Sequence, residues 1–183
     1  IKKWKGDFIF SFHNYWLLKK NIIRSAKIMA INFHPGTPEL PGSGSYNWAL
    51  YENKNDFGTT IHLMNEKIDN GKILEVKKFK IDSKITLDEL IKKSDKFRKS
   101  TFINFIKFLN KQNTFKIKKI LIKKRTYLWT RKARKISDLD KMTNLNLNLS
   151  IYEIKKRVRA FHANNYLVTL NFKKHKFVLV DTN

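Results

Sequence analysis

Two short apolar runs, Asp7–Phe12 and Ile28–Phe33, bracket a stretch in which Leu17, Leu18, Ile22 and Ile23 fall at helical spacing. The runs predict buried strands, and the spacing between them predicts a helix within Trp16–Lys27. A loop from His34 to Gly44 follows and holds all three prolines of the chain, so it is stiff at its prolines and permissive at its glycines. Tyr46–Asn53 has the length of a short helix. Thr59–Met64 and Ile73–Phe79 predict strands on either side of a turn at Asp69-Asn70-Gly71. Thr86 and Glu89 have capping-box spacing and open a long helix to about Asn110, with Leu90, Ile106 and Leu109 as its apolar positions. Gln112–Leu147 is basic and less regular, and reads as a connector. Ser150 and Glu153 open a second helix that carries Ile154, Val158 and Phe161 on one face. Tyr166, Val168, Leu170 and Phe172 then alternate, and Phe177–Val180 follow a Lys/His turn, which predicts a hairpin.

The order strand–helix–strand–helix–strand predicts an α/β layer with a partly parallel sheet, followed by a small helix-plus-hairpin unit. Three segments result: 1–111 as the main domain, 112–147 as the connector and 148–183 as the small unit. The chain starts with Ile1, not Met, and enters a strand almost at once. That predicts a fragment whose opening is missing.

Composition sharpens this in two ways. Lys and Arg number 39 against 15 Asp and Glu, a formal net charge of +24. Such a charge alone points to a polyanionic partner. Yet lysine far outnumbers arginine, asparagine and isoleucine are abundant, and the cations are spread along the chain. That joint bias is what AT-rich coding produces, and it weakens the polyanion reading. Cysteine is absent, so there is neither a disulfide framework nor a thiolate metal site, which fits a cytoplasmic protein. No metal or membrane association is expected.

Ligands of such sheets bind at the carboxyl ends of the strands, where this chain places Asn32 and His34. Two residues apart on an extended segment, they share one face. An amide can stabilise a developing oxyanion, and an imidazole can take up a proton near neutral pH. Asp69 can orient that imidazole or balance its charge, as carboxylates do in catalytic triads. Ser43 and Ser45 are not on a strand-to-helix elbow. The set therefore suits transfer to an external nucleophile. Taken singly, each residue also has an ordinary role: Asn32 and His34 as a strand end, Asp69-Asn70-Gly71 as a turn, His62 as a core histidine.

Together the motifs resemble a known family. Residues Ala30–Leu74 contain Asn-x-His-Pro, a Leu-Pro-Gly loop, Asn-Trp-Ala-Leu, Gly-Thr-Thr-Ile-His-Leu-Met and Ile-Asp-Asn-Gly-x-Ile-Leu, in this order. This is similar to the folate-dependent formyltransferases. The resemblance implies a partial Rossmann-like formyltransferase sheet, with 10-formyltetrahydrofolate as co-substrate and no metal. It implies that Asn32 and His34 contact the formyl oxygen and handle the amine proton. Asp69 would hold His34 or an ordered water, with His62 in support. The pterin would lie against main chain from two loops, which puts His13, Asn14, Tyr15, Trp16, Leu17, Asn65 and Ile68 at the cofactor. The side chains of Tyr15 and Trp16 are expected to pack rather than stack on the ring.

The loop His-Pro-Gly-Thr-Pro-Glu-Leu-Pro-Gly-Ser-Gly lacks the arginine usual before the last glycine in the methionyl-tRNA enzymes. It looks more like the sugar N-formyltransferases, as do Thr130–Met142 and Glu153–His162. The expected acceptor is therefore the amino group of a nucleotide-linked amino sugar, and a homodimer is possible for this group. Methionyl-tRNA formylation is the alternative within the family. A non-catalytic basic RNA-binding module is the alternative outside it; that reading predicts aromatics interleaved with arginine on a sheet face.

Overall fold

The computed structural model describes residues 4, 6–14, 16–112, 116, 117, 119, 122, 127–163 and 167–180. A four-stranded sheet runs in spatial order β1 (Phe8–Ser11), β2 (Met29–Pro35), β3 (Asp56–Leu63), β4 (Ile73–Lys80). Strands β1 and β2 are parallel, and β2–β3 and β3–β4 are antiparallel. The expected parallel character is thus confined to one pair. The helix between β2 and β3, α2 (Ser45–Tyr51), is too short to carry the chain back for a parallel strand and returns it antiparallel.

The helix expected within Trp16–Lys27 shrinks to one turn, α1 (Lys20–Ile23). Its opening is taken by a side-chain turn. The Asn14 amide donates to the Trp16 carbonyl (2.7 Å) and its Oδ1 accepts from the Trp16 N–H (3.2 Å). Such bonds compete with helical ones.

β2 is buried on both faces. Its odd positions Met29, Ile31 and Phe33 join Ile61, Leu74, Phe105 and Leu109 in one apolar cluster. Phe33 meets Phe102 and Phe105 edge-on, at 5.1 and 5.5 Å between ring centroids. Burial of a ring of this kind stabilises by about 2–3 kcal/mol. Its even positions Ala30, Asn32 and His34 point to the other face. One side of the strand anchors the sheet, and the other is left for chemistry.

The long helix α3 (Leu87–Asn110) covers the apolar face and starts at Thr86 as expected. The Glu89 N–H donates to Thr86 Oγ1 (3.3 Å), and the Thr86 N–H donates to Glu89 Oε2 (2.9 Å). Thr86→Ala removes this reciprocal cap. It is expected to cost about 1 kcal/mol and to lower the melting temperature by about 2–4 °C. A thermal melt by circular dichroism reads this, and an unchanged midpoint would show that the cap contributes nothing.

The stretch expected as an irregular connector contains α4 (Ile136–Thr143) and β5 (Asn144–Leu145). β5 forms a second sheet with β6 (Thr169–Phe172) and β7 (His175–Val178). The expected hairpin is therefore one part of a three-stranded sheet; Tyr166 lies outside the described residues. Ser150 caps α5 (Ile151–Phe161). Phe161, Ala160 and Val168 pack with Trp48, Leu50, Phe57, Leu87 and Leu90. The C-terminal unit thus shares a core with α2 and α3, and the Asn47 amide ties it further by donating to the Ala160 carbonyl (2.9 Å). No helix among the described residues is long and apolar enough to cross a membrane.

Candidate active site

The polar face of β2 is completed by β3. Cross-strand register sets Asn32 opposite His62 and His34 opposite Thr60. A register shift between Ile61 and His62 interrupts the β3–β4 ladder, the kind of local irregularity that re-aims a side chain beside a site. His34 and His62 are each 3 % exposed. The sequence could place Asn32 and His34 on one face; the pairing with β3 adds His62 to it.

Asp69 reaches this face from the loop between β3 and β4. It sits in the left-handed region at φ 39°, which aspartate tolerates better than most residues. Two residues on, Gly71 packs so tightly that a Cβ there would fall on the Leu63 carbonyl. The Asp-Asn-Gly turn is therefore built to fold back over the sheet.

The carboxylate of Asp69 organises everything around it. Oδ2 accepts from the Gly42 N–H at 2.8 Å and lies 3.0 Å from His34 Nδ1. Oδ1 lies 3.2 Å from His62 Nε2 and 3.4 Å from the Asn32 amide nitrogen. The Asn32 Nδ2 is also 3.1 Å from His62 Nε2. Burial alone would raise the Asp69 pKa. The charge and hydrogen bonds of His34, with those of His62, outweigh it and hold the carboxyl far below the usual carboxylate range.

The other side of His34 is equally fixed. Its Nε2 lies 2.9 Å from the Leu40 carbonyl, which can only accept. With Asp69 at Nδ1, both ring nitrogens face acceptors, an arrangement satisfied in full only by the imidazolium. His62 Nδ1 faces the Leu63 carbonyl at 2.9 Å, so that nitrogen carries a proton. Its Nε2 stands between a donor, Asn32, and an acceptor, Asp69. The cluster can thus hold a positive charge beside a half-buried amide, the requirement for stabilising an oxyanion.

The two loops expected at the pterin adjoin the cluster. β1 ends with Ser11 in register with Asn32, so the loop 12–19 leaves from beside the site. Lys20 pairs with Glu66 at 2.8 Å and joins it to the loop 64–69. Ile68, Trp16 and Leu17 are exposed on these loops, Trp16 at 83 %. The expectation that the Trp16 side chain packs is therefore corrected: the Asn14 turn holds its backbone and its ring is exposed. Asn65 stays local, accepting from the Lys67 N–H (2.9 Å). The side chain of His13 turns the other way, to Arg98 and to Asp95 (3.2 Å) on α3. Its placement anchors the loop to α3. Tyr15 lies outside the described residues.

Three participants escaped sequence reasoning. The Gly42 N–H and the Leu40 carbonyl are main-chain groups, and the Leu-Pro-Gly pattern signalled only a turn. Trp129 comes from the stretch read as a connector. Its ring meets His62 and His34 edge-on, at 5.0 and 5.6 Å between centroids, and its Nε1–H donates to the Gly71 carbonyl at 2.7 Å. The only clue was an apolar island, Tyr127–Trp129, inside a run of cations.

Fold and site together define an α/β domain with a carboxylate-bridged pair of histidines and an amide at a strand end. Residues 1–106 match the formyl transferase family, and the chain belongs to that family. It is 36% identical over 94 residues to the bifunctional polymyxin resistance protein ArnA of Wigglesworthia glossinidia brevipalpis, an alignment covering 51% of this chain and 14% of that protein. It is 32% identical over 91 residues to the methionyl-tRNA formyltransferase of Finegoldia magna, covering 49% of this chain and 29% of that one. These alignments span less than a third of either relative. Among solved structures, a sugar N-formyltransferase from Shewanella sp. FDAARGOS_354 superposes with a TM-score of 0.70 at 20% identity, covering 94% of this chain and 68% of that one. That likeness is one of fold.

Proposed function

We propose that this chain transfers the formyl group of 10-formyltetrahydrofolate to the amino group of a nucleotide-linked amino sugar. The observation that carries the reading is the Asp69 carboxylate held between His34 and His62 beside Asn32. The acceptor nitrogen bonds to the formyl carbon, and the carbonyl electrons move to oxygen. The Asn32 amide and the His34 imidazolium stabilise the charge that develops there. Asp69 orients His34, and the proton that the amine loses passes through water at the site, which returns one to N10. The oxyanion collapses, the bond to N10 of the folate breaks, and N10 takes a proton. The pterin lies between the loops 12–19 and 64–69, with Trp16, Leu17 and Ile68 exposed on them. Backbone amides of these loops suit the mixed donor and acceptor edge of a pterin.

The sugar acceptor is supported by the Pro-Gly loop without arginine. Methionyl-tRNA is the second reading, favoured by the Finegoldia magna relative and by the net charge of +24. Mass spectrometry separates the two. The chain is given 10-formyltetrahydrofolate with nucleotide-linked 3- and 4-amino sugars or with charged initiator tRNA. A formyl mass gain on an amino sugar is expected. A gain on the tRNA alone would replace the sugar reading, and no gain on any amine would refute formyl transfer.

A further inference from the structure

Trp129 touches both histidines of the cluster and the turn that delivers Asp69. Its position is set by backbone bonds. The Thr130 N–H donates to the Pro38 carbonyl (3.3 Å), the Arg134 N–H to Pro41 (3.1 Å), and the Ser43 N–H to Arg134 (2.9 Å). Arg134 also lies over the Trp48 ring at 4.1 Å and pairs with Glu52. The segment 129–134 is thereby fastened along the loop that supplies the Leu40 carbonyl and the Gly42 N–H. The indole has one face of the problem on each side. Inward are the imidazoles, whose nitrogens are all engaged. Outward is an open recess of about 350 Å3, lined by Asn70–Ile73 and by Tyr127–Trp129. Lys72, Tyr127 and Leu128 on its rim are exposed, so the recess is open to solvent.

We propose that Trp129 is a positioning residue of the reacting centre. Its ring keeps the water of the recess off the His34–Asp69–His62 cluster, and its N–H holds the Asp69 turn through Gly71. The inference rests on the formyl-transfer reading above. A formyl donor next to an imidazolium is open to a competing nucleophile. If water reaches it, the water oxygen bonds to the formyl carbon and the bond to N10 breaks. One water proton ends on N10, and formic acid releases the other to solvent. Excluding water protects against this side reaction and strengthens the charge interactions inside.

Two variants divide the two roles. Trp129→Ala removes ring and donor. The ratio of formate to formylated acceptor is expected to rise about tenfold and kcat to fall about ten- to a hundredfold, as loss of water exclusion and a displaced group require. Trp129→Phe keeps a ring but has no N–H for Gly71. It is expected to restore the ratio to within about twofold of the unsubstituted chain while keeping a several-fold loss of kcat, the effect of a loosened catalytic turn. Circular dichroism melts check that both are folded. A ratio and kcat unchanged in both variants would overturn the inference. So would a change confined to KM for the acceptor, which would make Trp129 a substrate contact. If the alanine variant does not fold, the phenylalanine variant decides: lower kcat at constant KM supports the positioning role, and unchanged kcat refutes it. If the unsubstituted chain transfers no formyl group, it is the formyl-transfer reading that has failed, and the inference falls with it.

Discussion

Asp69→Asn is expected to lower formyl transfer by about three to four orders of magnitude with the fold intact, by analogy with the loss seen when a triad carboxylate becomes an amide. The substitution keeps the shape and removes the charge. It also turns one acceptor into a donor. At the Oδ2 position the new NH2 would face the Gly42 N–H and the protonated His34 Nδ1; at the Oδ1 position it would face the Asn32 amide. Either orientation sets donor against donor, and neither balances the charge of an imidazolium. A steady-state assay reads the loss, and retention of more than about a tenth of the activity would remove Asp69 from the mechanism.

The same substitution changes how stability depends on pH. The Asp69 carboxyl titrates far lower in the folded chain than when unfolded, because the charge and bonds of His34 and His62 overcome its burial. The unfolded chain therefore binds more protons in acid. The resulting stabilisation is present in full above the ordinary carboxylate value of about 3.9 and is lost as pH falls below it toward the folded value. Asp69→Asn lacks this contribution. Its melting temperature should fall less steeply than that of the unsubstituted chain between about pH 4 and pH 2. Parallel acid limbs in the two proteins would mean that the carboxylate is not held as the site geometry requires.

What could be read without coordinates follows a physical division. Strands β1 to β4 and the start of α3 were legible because apolar runs and a Thr-x-x-Glu cap are local signals. Asn32 and His34 were legible as a pair because period-two alternation fixes their common face. The length of α1 was not, since the Asn14 turn wins over helical spacing through two bonds that no periodicity reports. β5 was hidden because two residues without a partner strand have no pattern. The site itself was half legible. Its side-chain chemistry could be named, but Gly42 and Leu40 act through main chain, and Trp129 arrives from 60 residues beyond Asp69. Contacts of that kind depend on tertiary closure, which motif spacing does not encode.

His34→Ala is the second large effect, and its value lies in which constant moves. In the proposed mechanism the His34 ring works on charge that exists only in the transition state, so its removal should lower kcat by about a thousandfold. The dissociation constant for the folate should stay within about threefold, because the proposed mechanism has the pterin lie against main chain of other loops. The variant also leaves the buried Leu40 carbonyl unpaired and Asp69 Oδ2 with the Gly42 N–H as its remaining partner, which costs stability by about 1–3 kcal/mol. His34→Gln is the companion that separates this cost from catalysis. Its amide can still donate to one of those acceptors, but it cannot carry the charge. Stability recovered in the glutamine variant, with kcat still down by orders of magnitude, would locate the effect in the charge of the ring. If folate affinity and kcat fell together in both variants, His34 would belong to the donor pocket, and the oxyanion would have to be stabilised by Asn32 and His62 alone.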